Sequence, residues 1–488
     1  MRLRCLAVPV LAVLGLSSPA IAATYRVGLG ETYRELTALP VLAPGDVVEV
    51  VGGFSYLPVK FDVDGTAAAP ITIRGLRNAL GKRPLLMNGD NTLELAGDHY
   101  LVEGLEVSGG AQRCLYIHAH ALVLRDLLVH DCPNFGIEGG GDGGGDLTLE
   151  YSELYGNGRI TTMHQISIAT DEVEHPGAKF RMRFNWLHDG NGGDNLKSRA
   201  ERNEIYFNWF EGALYHELEL VGPDPAAGVP EAQAVEHSDV VGNVFAKGGG
   251  HSSFWIARIG GDGTGQTYGR YRFVHNTFVL ASDSAGAFRV FDGIDSFEAH
   301  NNAFYKTSTA ATTPVLVRDM EANWRAGRAL VGSHNWVVDS VNGVPADWVG
   351  TVRGAMPGWN GFGDYRPLEG SPLVNGGDPA ATSPAGHPFP MPLAEPTHEP
   401  PLGVASRPGT EVLRPRVGVL DVGALEFGMG PPVDPDAGAQ PGDGDGGPDG
   451  GPGEGGGGGG CCRTSADGGG PAALLALVTV LGLRRKRR

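Results

Sequence analysis

The chain is poor in cysteine, in basic charge and in long apolar runs. Of its 488 residues five are Cys, and three of these (Cys5, Cys461, Cys462) lie near the ends. Cys114 and Cys132 remain for the body; they can pair in an oxidising compartment, but two thiols do not make a disulfide-dense scaffold. Lys and Arg number 38 against 56 Asp and Glu, a formal net charge of −18. With no basic excess to displace counterions from phosphate, a nucleic-acid partner is excluded. No Cys/His set with zinc spacing, no Ser-His-Asp arrangement and no phosphate-cradling loop stands out. Part of the acidity is confined to one stretch, where Asp434, Asp436, Asp443, Asp445, Asp449 and Glu454 occur without a base among them.

What is abundant is glycine, 77 residues, which suits a chain of many turns better than a helical one. Both ends are patterned. Met1-Arg2-Leu3-Arg4 is basic, Leu6 to Leu16 is apolar, and Ala20-Ile21-Ala22 has the small-x-small form of a cleavage site. These are the parts of a secretory signal peptide, residues 1–22, with an apolar core too short to span a bilayer. At the far end, residues 428–460 are Gly, Pro and Asp with almost nothing that can pack, and read as a disordered linker. Residues 461–488 hold Cys461-Cys462, an apolar run from Pro471 to Leu483 and the terminus Arg484-Arg485-Lys486-Arg487-Arg488, the pattern of a stop-transfer segment with its positive side inward.

Between the ends, residues 23–427 repeat. Short strands end in Asn followed by an apolar or aromatic residue at Asn185, Asn208, Asn243, Asn276, Asn302 and Asn335, separated by 23, 35, 33, 26 and 33 residues. Val102 to Val107, Val123 to Val129 and Leu147 to Leu154 repeat the strand pattern without the Asn. The segments are too short for helices and are bounded by Gly, Asn and Asp. One strand group per repeat, each stacking on its neighbours, is a solenoid; a propeller needs about four strands per 40-odd residues. Stacked asparagines at equivalent turns can pass amide hydrogen bonds from coil to coil. Thr32-Tyr33-Arg34-Glu35 fits a capping box, with Tyr33, Leu36 and Leu39 on one helical face, so a short N-terminal helix is expected over the open end of the core. Most aromatics, Trp186 and Trp209 among them, are expected inside.

Four segments add a family likeness. "PGDVVEVVGG" and "GTAAAPITIRG" resemble the opening of secreted β-helix polysaccharide lyases, and "DYRPLEGSPLVNGG" and "DVGALEFG" resemble the closing segments of bacterial β-helix proteins. The resemblance implies an all-β, single-stranded right-handed parallel β-helix, the pectin-lyase-like solenoid. The tail, residues 456–488, resembles the MYXO-CTERM sorting signal of myxobacteria, which implies processing near Cys461 or Cys462 by a sorting protease and retention at the cell surface. A plain C-terminal membrane anchor is the alternative.

The densest polar segment runs from His188 to Phe210. Strand alternation turns Leu196 and Ser198 inward and Asn195, Lys197 and Arg199 outward. On the next coil it turns Leu214, His216, Leu218 and Leu220 inward and Tyr215, Glu217 and Glu219 outward. On the preceding coil Ile166 and Ile168 face in, Gln165 and Ser167 out. Asn195-Leu196-Lys197-Ser198-Arg199 resembles the Lys-Ser segment of chondroitinase B-like and alginate lyases. The resemblance implies Lys197 as the base of a β-elimination on a uronate-containing polysaccharide, with Arg199 lowering its pKa by like charge. The cation that quenches the substrate carboxylate is Arg199 or a Ca²⁺ held by Asp189 and Asp194. The family's second basic residue is replaced here by an acidic coil, so two other readings stand: an ion-pair ladder of Lys197 and Arg199 with Glu217 and Glu219, and a glycosidase using Glu217 or Glu219. Trp255, Arg258, Arg289 and Phe291 are candidates to line a sugar groove on later coils. His118 and His120 are expected on one outward strand face.

Overall fold

The computed structural model describes residues 22–428, apart from 223–234, 249, 262–266, 292, 309–311, 321–323, 325–326 and 362. The expected signal peptide, linker and sorting tail lie outside the described residues. Among the described residues no helix is long and apolar enough to cross a membrane.

Each coil contributes three short strands, and like strands of successive coils pair in parallel. The coil from Lys179 shows the unit: Lys179–Arg183 on face one, Trp186–His188 on face two and Leu196–Arg199 on face three, before Arg202–Tyr206 begins the next coil on face one. Faces one and two are 12-stranded sheets and face three is a 10-stranded sheet. The result is the expected right-handed parallel β-helix. Period-2 alternation puts one apolar row per strand inside. Phe210, Phe245, Phe278 and Phe304 are register partners on face two, stacked with centroids 4.9, 5.1 and 4.9 Å apart. Cys114 and Cys132 are joined as a disulfide within the core.

The asparagines sit at the bend between faces one and two. The residue before each is in the left-handed region, with φ of 59° at Phe184, 57° at Phe207 and 66° at Gly242. This sharp bend turns the backbone polar groups inward, where only a side chain can meet them. The Asn243 amide meets them on both sides. Its oxygen accepts from the Asn208 backbone N–H at 2.8 Å and the Asn208 amide at 3.0 Å. Its nitrogen donates to the Ile205 carbonyl at 2.8 Å and to Asn276 Oδ1 at 3.0 Å. The same contacts recur from Asn185 to Asn335.

Outside, face one carries an alternating ladder on its N-terminal coils: Arg26–Glu49 at 3.0 Å, Arg74–Glu103 at 2.6 Å, Arg125–Glu150 at 2.6 Å and Arg183–Glu150 at 2.7 Å. From Asp364 onward the chain runs back as a strap over faces one and two. His398 packs on Phe184 and Phe207, with centroids 5.3 and 5.6 Å apart. Arg272 donates to the Pro392 carbonyl at 2.8 Å, and Gly423 N–H to the Asn301 carbonyl at 2.8 Å. Two buried ion pairs, Arg366–Glu399 and Arg414–Glu426, tie the strap to itself.

Two expectations are corrected here. The N-terminal segment forms only a 3-10 turn at Leu36–Ala38, with no side-chain cap; Glu35 instead accepts the Leu57 N–H at 3.1 Å, so tertiary contact displaces the capping box. Trp209 is buried not in the central core but outside face two, against Tyr365, Ala424 and Leu425 of the strap. Trp186, half-buried, packs on that same outer cluster.

Substituting Asn243→Ala would leave the buried Asn208 backbone N–H without its acceptor and take the Asn243 amide from the Ile205 carbonyl. An unmet buried polar group costs about 1–3 kcal/mol, so the expected loss is about 2–4 kcal/mol in the free energy of unfolding by urea. Asn243→Leu, which fills the space without the polar atoms, should not recover it.

Candidate functional site

Strand register on face three aligns one outward residue per coil into a row. From the N-terminal side it reads Lys60, Glu94, Tyr116, Glu138, Ser167, Lys197, Glu219, Arg258, Arg289 and Arg318. Neighbouring coils lie about 4.8 Å apart, so each side chain meets the next. The first half neutralises itself. Glu94 takes Lys60 at 3.0 Å and His118 at 3.1 Å, Glu138 takes Arg113, and Tyr116 lies under the Arg113 guanidinium at 4.2 Å.

The second half does not. Glu219 is its sole carboxylate, shared by Lys197 at 3.7 Å and Arg258 at 3.0 Å. Among the described residues neither Arg289 nor Arg318 has a carboxylate partner. Both instead lie over aromatic rings. Arg258 and Arg289 each lie against the Phe291 ring, at 4.4 and 4.8 Å, and Arg318 stands 5.3 Å from Trp255. Burial, first, and the like charges of Arg258 and Arg318 push the Arg289 guanidinium below its ordinary pKa, against the pull of Tyr215 and Glu219. Four cations against one carboxylate leave this stretch net positive on a chain of net charge −18.

The outward and inward assignments hold inside the strands and fail just before them. Lys197 and Arg199 are half-exposed, while Leu196 and Ser198 are buried. Asn195 was expected outward with them but is fully buried, because the strand begins only at Leu196. Its amide accepts from Gln165 Nε2 at 2.8 Å and donates to Glu217 Oε2 at 2.6 Å. Gln165 and Glu217, expected outward, are buried with it. Glu217 precedes a strand that begins at Leu218. It therefore cannot pair with Arg199, which donates to the Gly222 carbonyl at 3.2 Å, nor stand beside Glu219 as a second exposed carboxylate. Of the expected ladder, the Lys197–Glu219 contact is present. Tyr215 is half-buried, with its ring 4.3 Å from that of His216.

The Ca²⁺ pair does not form. Asp189 is 85% exposed and takes His188 Nδ1 at 2.8 Å, whereas Asp194 is fully buried between His164 and His216, at 3.1 and 2.9 Å. Two carboxylates so disposed do not fit the oxygen-rich shell that Ca²⁺ needs. His118 and His120 also part: the strand ends at Ile117, His118 turns to Glu94, and His120 stacks on His175 at 4.3 Å.

Three buried groups beneath the row were not singled out from the sequence. Lys247 donates to the Ala213 carbonyl at 3.1 Å and to the Tyr215 carbonyl, and lies 3.7 Å from Glu217. Burial, opposed in part by Lys247, pushes the Glu217 carboxyl up to about 7. His164 is the second. The third is Glu236, which accepts from Asn203 Nδ2 at 2.7 Å, Ser238 Oγ at 2.9 Å and Tyr271 OH at 2.9 Å. The available signal was alternation itself: Glu236 and Ser238 occupy the inward positions that lead into Val240, where an acid needs partners.

No family model matches the sequence, and no curated protein matches it. Among solved structures, the chain is similar to the pectate lyase Pel9A, at 11% identity and a TM-score of 0.50, over 84% of this chain and 97% of that one. It is also similar to XylC solved with xylose (9% identity, TM-score 0.46, 83% and 99% covered). A third is a PL6 family polysaccharide lyase from Pseudopedobacter saltans (12% identity, TM-score 0.41, 65% and 89% covered). The likeness is one of fold.

Burial pushes the Glu236 carboxyl up to about 8, well above its ordinary value of 4.5. The folded chain therefore holds a proton there that the unfolded chain has released between about pH 4.5 and 8. The folded state gains from this group below that window and loses the gain as pH rises through it. Glu236→Gln should remove this falling component from a plot of unfolding free energy against pH between 5 and 8. An unchanged slope would contradict the assignment.

Proposed function

We propose that the chain is an exported, surface-held β-helix protein that binds an acidic, uronate-containing polysaccharide along face three. The observation that carries this is the row Lys197, Arg258, Arg289 and Arg318, with one intervening carboxylate, on an otherwise acidic protein. Cations one coil apart match a polymer that carries a carboxylate on successive sugars. Guanidinium groups suit carboxylates because they donate in a planar fork. Phe291 and Trp255 hold these groups in place from the side.

The reaction proposed for the row is β-elimination. Lys197, freed from Glu219 and neutral, takes the C5 proton of a uronate; Arg258 or Arg199 balances the charge that grows on its carboxylate. The C4–O bond breaks, a C4–C5 double bond forms, and the departing oxygen takes a proton from water while the proton on Lys197 passes to solvent. A second reading, favoured by the Lys197–Glu219 contact, is binding without cleavage, in which Lys197 serves as one more cation of the row.

Alginate, pectate and chondroitin sulfate incubated with the protein separate the two readings. Cleavage gives ultraviolet absorbance from the new double bond, abolished in Lys197→Ala; binding alone gives none. In either case Arg289→Ala and Arg318→Ala should each weaken polymer affinity by about tenfold, the worth of one charge-assisted contact, and the affinity should fall with added salt. Equal affinity of both variants and wild type for every polymer would refute the reading. For surface retention, replacing Cys461 and Cys462 together with Ser should leave the C-terminal tail uncleaved, read as a mass in the membrane fraction that still includes residues 461–488. A plain anchor predicts the same mass with or without the cysteines.

A further inference from the structure

Beneath the outward row, Asp194, His216 and Glu219 each bring one side-chain atom to within 4.8 Å of the others. All three are buried, at 0%, 0% and 6% exposure. His216 Nδ1 lies 2.9 Å from Asp194 Oδ1 and 3.8 Å from Glu219 Oε2. We propose that these three side chains form a binding site for a divalent transition-metal ion such as Zn²⁺, and not for Ca²⁺.

The distances fit. Two ligands about 2.1 Å from a tetrahedral ion stand about 3.4 Å apart, between the two separations above. The hydrogen bonds point the same way. Asp194 Oδ1 accepts the His216 backbone N–H at 2.9 Å, but Asp194 Oδ2, fully buried, has no hydrogen-bond donor. Its neighbour at 3.1 Å is His164 Nδ1, and that nitrogen already accepts the Asp194 backbone N–H at 2.9 Å. The one lone pair of His164 Nδ1 is thereby occupied, which leaves Asp194 Oδ2 as a buried carboxylate oxygen without a donor, the disposition of a ligand to a cation. His216 Nε2 is also buried without a partner.

Glu219 divides its two oxygens between two tasks. Oε1 faces the row, toward Lys197 and Arg258, while Oε2 faces His216. The ammonium and guanidinium therefore leave the inner oxygen available. A donor set of one imidazole and two carboxylates, with a fourth position open to water, suits Zn²⁺ and its neighbours. Ca²⁺ needs six to eight oxygens, which the set does not supply. The inference stands apart from the polymer reading, since none of its inner ligands belongs to the outward row except Glu219 through its far oxygen.

The test uses the full chain, stripped with chelator and titrated by calorimetry. One equivalent of Zn²⁺ should bind and raise the melting temperature by several degrees, and Co²⁺ in its place should give the visible absorption of a tetrahedral site. Ca²⁺ at the same concentration should do neither. Asp194→Asn and His216→Gln should abolish Zn²⁺ binding. Because these buried changes can disturb folding, Glu219→Gln at the rim serves as the second variant. With an unchanged far-ultraviolet dichroism spectrum it should weaken Zn²⁺ at least tenfold. No stoichiometric Zn²⁺, a response to Ca²⁺ alone, or undiminished Zn²⁺ affinity in a folded Glu219→Gln protein would each overturn the site. Polymer binding read through Arg289→Ala and Arg318→Ala is a separate measurement, so the two proposals fail separately.

Discussion

Everything on the surface of this solenoid depends on coils not slipping past one another. Parallel backbone pairing along three faces and a shared apolar interior hold the coils together, but pairing alone tolerates a shift by two residues, which keeps the same face buried. The bend between faces one and two removes that freedom. There each left-handed residue turns polar backbone groups into the interior, and each Asn amide is fitted to the coil above and the coil below. A slipped coil would leave those groups buried and unmet. Register is thereby set by polar contacts at one corner, while the apolar stacks of Phe210, Phe245, Phe278 and Phe304 fill the volume that register defines.

Fixed register turns sequence into straight lines of side chains, and two such lines behave differently. On the N-terminal coils of face one, signs alternate from Arg26 to Arg183 and each charge is met by a neighbour. On face three, the alternation ends at Glu219, and three guanidinium groups follow in succession. Like charges one coil apart repel, and the aromatic rings of Phe291 and Trp255 offset only part of that repulsion. A row left in this state holds electrostatic energy that an anionic partner releases. Glu219 stands where the two regimes meet, with the buried His216 beneath it.

The repeat and its corner asparagines were legible because they follow a period that a single sequence displays. Lys197, Arg199, Leu196 and Ser198 were legible too, since alternation holds within a strand. Asn195, Gln165 and Glu217 were misplaced for one reason: each precedes its strand, where the chain is still turning and alternation has no meaning. Asp189 and Asp194 are five residues apart in sequence yet differ completely in burial, which no local rule distinguishes. Lys247 meets the carbonyls of Ala213 and Tyr215, more than 30 residues away, and nothing near it in sequence announces them. Trp209 was assigned to the wrong interior because the strap that covers it is irregular, and an irregular chain gives no pattern from which its docking place can be read.

That strap changes the statistics of the molecule. A bare solenoid is a row of units that interact only with adjacent units, so its end coils fray independently and its unfolding spreads over a range of conditions. Here residues 364–428 touch coils from Phe184 to Asn301 at once. Loosening one of those coils strains contacts several coils away. Interactions of such range convert a one-dimensional chain of weakly linked units toward a single all-or-none transition. The strap also follows the final coil in sequence, so this cooperativity is acquired only when synthesis has passed that coil; until then the solenoid is a stack whose members can still be separated one by one.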